Sequence, residues 1–562
     1  MAYFLKKQAQ NNNLYLAIYE SYYSAETKGT KQSCYKSLGS ITKLKANGID
    51  DPIAYYQNEV DRLNAERKKK KETKKTKKIG DTTPTKYLGY FPLANILNTL
   101  DVKEHFDLMQ STRKFQYNVY NIFSSLVFAR AVAPCSKNKT FHDVLPCLFN
   151  EMDYSYDQLL SCVEFLGSEY EKFNEILTVA TKENYGLDTS KTFFDCTNFY
   201  FEIDKENDFQ RKGPSKENRK DPIVGMGLLL DKNLIPIGMR MYPGNESEKP
   251  VMRQVIGDLK KQNNIEGRTI QVADKGLNCA KNIHEATIKN DGYLFSKSVK
   301  MLSNKEKKWV LSDNDYKEVY DNDGEIKYRY KSCVDSFEYK YVNENGEPIN
   351  FTVKEKRICT YNPVLARKQI REIEKMRLKA LNISVSLGKK NEYGESAKYV
   401  NFKTESGEKV FSSINEEKIA KDKAVAGYNL LVTSEIRMND IEIYDTYHNL
   451  WAIEQSFRIM KSELDARPVF MQKEDSIKGH FLICYATVLL SRLLQFKELN
   501  EEHSITSIFE FIRNFKVVKY SENEYINTAK KSDILAAVEK LTGHPISNYY
   551  LTSKQIKMMH TR

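Results

Sequence analysis

Cysteine, tryptophan and proline are scarce in this chain, with nine, two and fourteen among 562 residues. The cysteines stand singly, without a Cys-x-x-Cys pair or a histidine at zinc-ligand spacing. That excludes a disulfide framework and a zinc ribbon and points to reduced thiols in a cytosol. Long apolar runs are missing as well: the most apolar, Phe481 to Ser491, is too short to span a bilayer. The N-terminal MAYFLKKQAQNNN lacks the apolar centre of a signal peptide. Neither membrane insertion nor export is expected, and the composition suits a soluble, cytoplasmic protein. Spread-out positive charge is also lacking. The net charge is +12, and the run Arg67 to Lys78 (RKKKKETKKTKK) holds nine positive and one negative charge, leaving only +4 for everything else. Such a run fits an arm drawn to a phosphate backbone through Lys68, Lys69, Lys70, Lys71, Lys74 and Lys75, and equally fits a solvated linker.

With 41% apolar residues, a chain of this length has material for three or four domains. Residues 1–80 read as a small β-rich unit, then a helix opened by Asp51-Pro52, then the basic arm. Residues 81–188 are helical in pattern, including FQYNVYNIFSSLVFARAVA stopped at Pro134 and a long segment from Tyr156 to Asn184. Between 189 and 299 the pattern changes. KTFFDCTNFYFEID (191–204) is aromatic and alternating, hence a strand. IVGMGLLLD and LIPIGMRMYPGN are two more, joined at Asp231-Lys232-Asn233. A helix from Ser247 to about Asn263, the short strand TIQVADKG, a helix from Ala280 to Lys289 and the strand YLFSKSV complete an order β-β-β-α-β-α-β. Residues 300–426 are charged and tyrosine-rich, with hairpin signals at Asn322-Asp323-Gly324 and Asn345-Gly346 and a helix from Pro363 to Ala380. GYNLLVTSE, from 427, returns to the core, which runs to 499. Residues 500–562 read as a C-terminal helical region in which Ser532 or Asp533 caps and Gly543 ends one helix.

Three acids draw attention. Asp195 lies in the middle of an apolar strand, where a charge is costly unless it is paired or binds a metal; neighbouring hydroxyls such as Thr197 are an alternative partner. Asp274 ends the fourth strand, at the edge where open α/β sheets bind ligands, although Asp274-Lys275-Gly276 also reads as a plain turn. Glu454 belongs to the stretch Tyr444–Phe470. There Leu450, Ile453, Phe457, Met460 and Leu464 make an apolar helical stripe, and Glu454, Arg458, Lys461 and Asp465 line its edge. Taken alone, this stretch is also an ordinary amphipathic helix with charges that support one another.

Tyr447, Glu454 seven residues on and Lys461 after six more resemble the Tyr-x2-Arg-x3-Glu-x6-Lys signature of bacterial DDE transposases of the insertion-sequence 4 superfamily. IEQSFRIMKSELDARPVF is most similar to its insertion-sequence 1634 group, and FFDCTNFYFE, YPGNESE and VADKGL are similar to that family too. Leu450 departs from the pattern by standing at the signature arginine. The resemblance implies an α/β core that is ribonuclease-H-like, a mixed β-sheet flanked by helices with a β-rich insertion domain at 300–426, beside helical and small β N-terminal regions. It implies that Asp195, Asp274 and Glu454 hold two Mg2+ ions, with Mn2+ as a substitute. It also implies that Tyr447 and Lys461 contact phosphates of transposon-end DNA, where Arg458, one helical turn past Glu454, is a candidate to replace the missing arginine; that residues 81–188 recognise those ends, although a plain helical support domain fits as well; and that Tyr428 is placed to stack on a flipped base, although an ordinary strand tyrosine fits there as well. The expected partners are terminal inverted repeats, target DNA and a second copy of the chain in a homodimer, and the expected activity is cleavage followed by strand transfer. A nuclease or resolvase of the same fold, and a non-catalytic DNA-binding descendant, are the competing readings.

Overall fold

The computed structural model describes residues 2–10, 13–24, 29–75, 83–203, 205–214, 220–262, 267–385, 390–405, 408–467 and 469–560. The chain divides into two compact units, Met1–Thr83 and Pro84–Arg562. In the first, Tyr3–Gln10, Asn13–Ser24 and Gly29–Ser40 form an antiparallel sheet, as the short alternating stretches predict. The helix Pro52–Lys75 follows. Its start obeys local chemistry: the Asp51 carboxylate accepts hydrogen bonds from the Ile53 and Ala54 amides, and Pro52 lacks the amide that would otherwise go unpaired. The basic run continues this helix as far as Lys75. Lys68 and Lys69 are exposed, whereas the side chains of Lys70, Lys71, Lys74 and Lys75 lie outside the described residues.

The second unit is built on a nine-stranded mixed sheet. In chain order its strands are β1 (Lys191–Tyr200), β2 (Ile223–Leu230), β3 (Pro236–Pro243), β4 (Ile270–Ala273), β5 (Gly292–Lys297), β6 (Lys317–Tyr320), β7 (Ile326–Val342), β8 (Pro348–Tyr361) and β9 (Tyr428–Thr433). The spatial order is β6-β7-β8-β9-β5-β4-β1-β2-β3. β1 pairs antiparallel with β2 and parallel with β4, β4 pairs parallel with β5, and β9 returns antiparallel to β5. Helices Glu248–Gln262 and Ala280–Ile288 fall where the sequence predicts them. Both faces of β1–β5 and β9 are buried, which explains why these strands read as nearly continuous apolar runs. Phe193, Phe199, Val272, Leu294 and Leu431 face one core; Phe194, Cys196, Ala273, Phe295 and Leu430 face the other.

Four features differ from the sequence expectation. The segment 300–426 is not wholly a separate insertion: the base of the β7–β8 hairpin pairs with β9, from Lys356 opposite Thr433 to Tyr361 opposite Tyr428, and so widens the core sheet. Beyond it, helix Pro363–Val385 packs with a two-stranded sheet around small apolar clusters of its own. Residues 500–562 are not purely helical. Lys516–Lys519, Glu524–Asn527 and Tyr550–Thr552 form a sheet whose edge strand, Thr85–Tyr87, comes from the other end of the unit. The helices of 84–188 share one continuous core with this region, from Leu88 to Met559, so positions 188 and 499 are not domain boundaries. The Tyr156–Asn184 pattern is two helices, Tyr156–Ser168 and Tyr170–Tyr185.

At the centre of that core lies Glu474–Leu493, which continues through a wider turn to Glu498. By length and composition this helix could cross a membrane, but 94% of its most apolar window is buried inside the protein, as befits a core helix. It crosses Tyr156–Ser168 at a pair of glycines. A Cβ on Gly167 would stand 1.6 Å from the Asp475 carbonyl oxygen, and one on Gly479 would stand 1.9 Å from that of Val163. Only bare backbone fits at this crossing.

Candidate functional site

The register of the parallel strands brings two of the three acids together. Lys191, Thr192 and Phe193 of β1 lie opposite Ile270, Gln271 and Val272 of β4. Two residues further along each strand come Asp195 and Asp274, so both carboxylates leave the same face at the same level of strands spaced about 4.8 Å apart. Both residues are half-buried. Asp195 shares its face with Phe193, Thr197 and Phe199, the face covered by helix Trp451–Arg458.

Asp274 has specific partners. Its Oδ1 accepts hydrogen bonds from the Ser296 hydroxyl at 3.0 Å and the Tyr447 hydroxyl at 2.9 Å. Ser296 arrives by register, since Ala273 pairs with Phe295 and Ser296 is the next residue along. Tyr447 arrives on helix Asp440–His448, which packs on β4 and β5 and is tied to β1 by Lys191, whose Nζ donates to Glu442 at 2.9 Å and Thr446 at 3.2 Å. Burial raises the Tyr447 phenol above its ordinary pKa, and the nearby Asp274 and Asp195 carboxylates raise it further. It therefore keeps its proton and donates it in a hydrogen bond to Asp274. The sequence expectation makes Tyr447 a contact to a DNA phosphate; in the structure its hydroxyl is held by Asp274.

Glu454 is exposed on helix Trp451–Arg458, with Ala452, Ile453 and Phe457 buried beneath it. The predicted apolar stripe is where it should be, but the helix is not continuous from Tyr444. It breaks at Asn449–Leu450, where tighter bonds from Leu450 to Tyr447 and from Ala452 to Asn449 replace the regular ladder. Past Arg458 it widens into a π-turn, Ile459–Glu463, that carries Lys461. Arg458 is exposed one turn beyond Glu454, whereas Lys461 Nζ lies 5.5 Å from the centre of the Phe199 ring on β1. Leu450 is half-buried against the main core. Among the described residues, no three or more His, Cys, Asp or Glu side chains gather closely enough to hold a metal. Tyr428 opens β9 half-buried, its ring 4.7 Å from that of Tyr361.

Sequence reasoning missed Ser296, Lys191 and a buried arginine. Arg492 of helix Glu474–Leu493 is fully buried and donates to the Ala452 carbonyl, the Gln455 amide oxygen and the Ser456 hydroxyl, the residues on either side of Glu454. Its only sequence signal is a charge in an apolar helix. The hydrogen bonds to Asp274 lead to a first prediction. Tyr447→Phe removes one of two donors to Oδ1 and is expected to lower any activity that needs Asp274 by about 10- to 100-fold while barely moving the melting temperature. Kinetics and a thermal melt on the same sample check this, and an equal fall in both would make the tyrosine a packing residue.

No protein-family model matches the chain, and no curated protein matches it.

Proposed function

We propose that this chain is a DDE transposase, a DNA enzyme that cuts the ends of a mobile element and joins the freed 3′-hydroxyls to target DNA. One observation carries the reading. Two aspartates from motifs 79 residues apart fall at one level of adjacent parallel strands, on the face covered by the helix that bears the third acid. The order β3-β2-β1-β4-β5, three antiparallel strands followed by two parallel ones, supports a ribonuclease-H-like core. Asp195 and Asp274, with Glu454 brought up to them, would offer oxygen ligands alone, which suits Mg2+ or Mn2+. Two such ions, when bound, activate an attacking oxygen and stabilise a leaving one.

The protein's own groups have separate tasks. Ser296 and Tyr447 orient Asp274. Arg458, exposed beside Glu454, and Lys461 contribute positive charge to a DNA backbone that they position without reading its sequence. With Leu450 at the signature arginine position, Arg458 takes over that phosphate contact. Residues 81–188 would recognise the ends, Tyr428 would meet an unpaired base, and joining two ends calls for a homodimer.

The test is a cleavage and strand-transfer assay in Mg2+ on DNA carrying the element's own ends. Nicking and joining support the proposal; nicking without joining would make the chain a nuclease or resolvase, and binding without cutting in either Mg2+ or Mn2+ would make it a binding relic. Deleting Lys68–Lys78 is expected to flatten the dependence of DNA affinity on salt, by close to one unit of log-log slope for each DNA phosphate that the arm neutralises. An unchanged slope in a salt titration returns that run to the status of a linker.

A further inference from the structure

Behind the end of the Glu454 helix lies a cleft of about 70 Å3 whose lining includes Arg130, Ser136, Lys137, Asp465, Phe470 and His480. Its charge is unbalanced. Arg130, Lys137 and His480 are 5%, 7% and 7% exposed. Lys137 Nζ lies 3.2 Å from His480 Nδ1, and Arg130 donates to the Leu464 carbonyl at 3.3 Å. Among the described residues none of the three forms an ion pair with a carboxylate, and the single acid of the lining, Asp465, is exposed. Burial and the neighbouring Arg130 lower the Lys137 ammonium to about 7, and no carboxylate acts to raise it. The same burial, with Lys137 and Arg130 close by, holds His480 well below its ordinary value. Cys135 and Cys484 are the other titratable groups facing this cluster, and burial holds the Cys484 thiol above its ordinary value.

Burial disfavours the charged form of Lys137, an entering anion would restore it, and among the described residues none supplies that anion. We infer that the cleft is a phosphate-binding site, with Arg130 and Lys137 as the cationic donors and the Ser136 hydroxyl as an uncharged one. A guanidinium and an ammonium lining one small cleft match a tetrahedral oxyanion. The source of the phosphate is marked by Phe470, which stands 75% exposed at the rim. A phenyl ring in water beside a phosphate pocket suits a nucleotide whose base stacks on the ring while its phosphate enters the cleft. The phosphate site stands independently of the transposase reading; only its occupation by a DNA strand rests on that reading.

The test uses the full chain, melted with increasing inorganic phosphate against chloride of matched ionic strength. The wild type is expected to gain several degrees with phosphate. Lys137→Met keeps the volume and removes the buried charge, so it should melt higher than the wild type without phosphate and lose the phosphate response. A variant that melts lower and still responds to phosphate would overturn the site and make Lys137 a structural residue. Phe470→Ala, at the exposed rim, separates the sources. It should leave the response to inorganic phosphate intact and weaken binding of a short single-stranded DNA about tenfold. DNA affinity unchanged by Phe470→Ala would overturn the nucleotide source and leave free phosphate as the ligand, while a wild-type melt insensitive to phosphate would overturn the site altogether.

Discussion

Asp195→Asn, and equally Glu454→Gln, should yield a folded protein that binds element ends and neither cuts nor joins them in Mg2+. Asp195 lies half-buried in the middle of β1, opposite Leu228 of β2 and level with Asp274, which follows the end of β4. Asparagine keeps its shape and its place in the ladder, so the sheet has no reason to rearrange. What disappears is one negative charge from the site that, on the proposed reading, would hold dications. Metal stabilisation of the reacting oxygens is worth several kcal/mol, and every ~1.4 kcal/mol is a factor of ten, so a loss of about three orders of magnitude or more is expected. Glu454 is exposed, so its replacement should cost even less stability. Single-turnover cleavage, end binding by fluorescence anisotropy and a thermal melt, run in parallel, check the claim. If Asp195→Asn cuts at the wild-type rate, Asp195 has no part in the chemistry. If Glu454→Gln loses binding as fully as cleavage, Glu454 shapes the DNA surface rather than the reaction.

Much of this arrangement was legible because the signals are local. β1 reads as a strand from its aromatic alternation, and its side chains do divide between two cores, Phe193 and Phe199 on one face and Phe194 and Cys196 on the other. The turns at Asn322-Asp323-Gly324 and Asn345-Gly346 close the predicted hairpins, and Ser532 and Gly543 cap the helix they bracket. What could not be read depends on partners distant in the sequence. That β8 pairs with β9, or that Thr85–Tyr87 finds Lys516–Lys519, is decided by packing across the unit and leaves no periodicity in either segment. The break at Asn449–Leu450 was hidden because an apolar stripe at helical spacing looks the same whether the helix is whole or interrupted. Ser296 became meaningful only once register placed it beside Asp274, since a serine within YLFSKSV carries no mark of its partner.

Arg492→Leu is expected to damage stability and activity together. The guanidinium is fully buried and is held by the Ala452 carbonyl, Gln455, Ser456 and Gln495 without a carboxylate among them. Burial lowers its pKa to about 10, so it remains charged at neutral pH. Two effects oppose each other. Leucine spares the desolvation of a buried cation, which taken alone is stabilising. It also leaves two amide oxygens, a carbonyl and a hydroxyl with fewer partners in a dry core, at about 1–3 kcal/mol for each group left unsatisfied. Several groups lose a donor and only one charge is removed, so the second effect wins, with a net loss on the order of 2–4 kcal/mol. Because three of the four partners flank Glu454, the same change frees the helix that carries it. The folded fraction should then cut about 10- to 100-fold more slowly, as when a group supporting a metal ligand is lost. Arg492→Lys should fall between, since an ammonium cannot reproduce the planar fork of donors. The measurements are a denaturant melt and a cleavage rate corrected for the folded fraction. If Arg492→Leu lowers stability and leaves the corrected rate unchanged, Arg492 holds the core together and does not position Glu454.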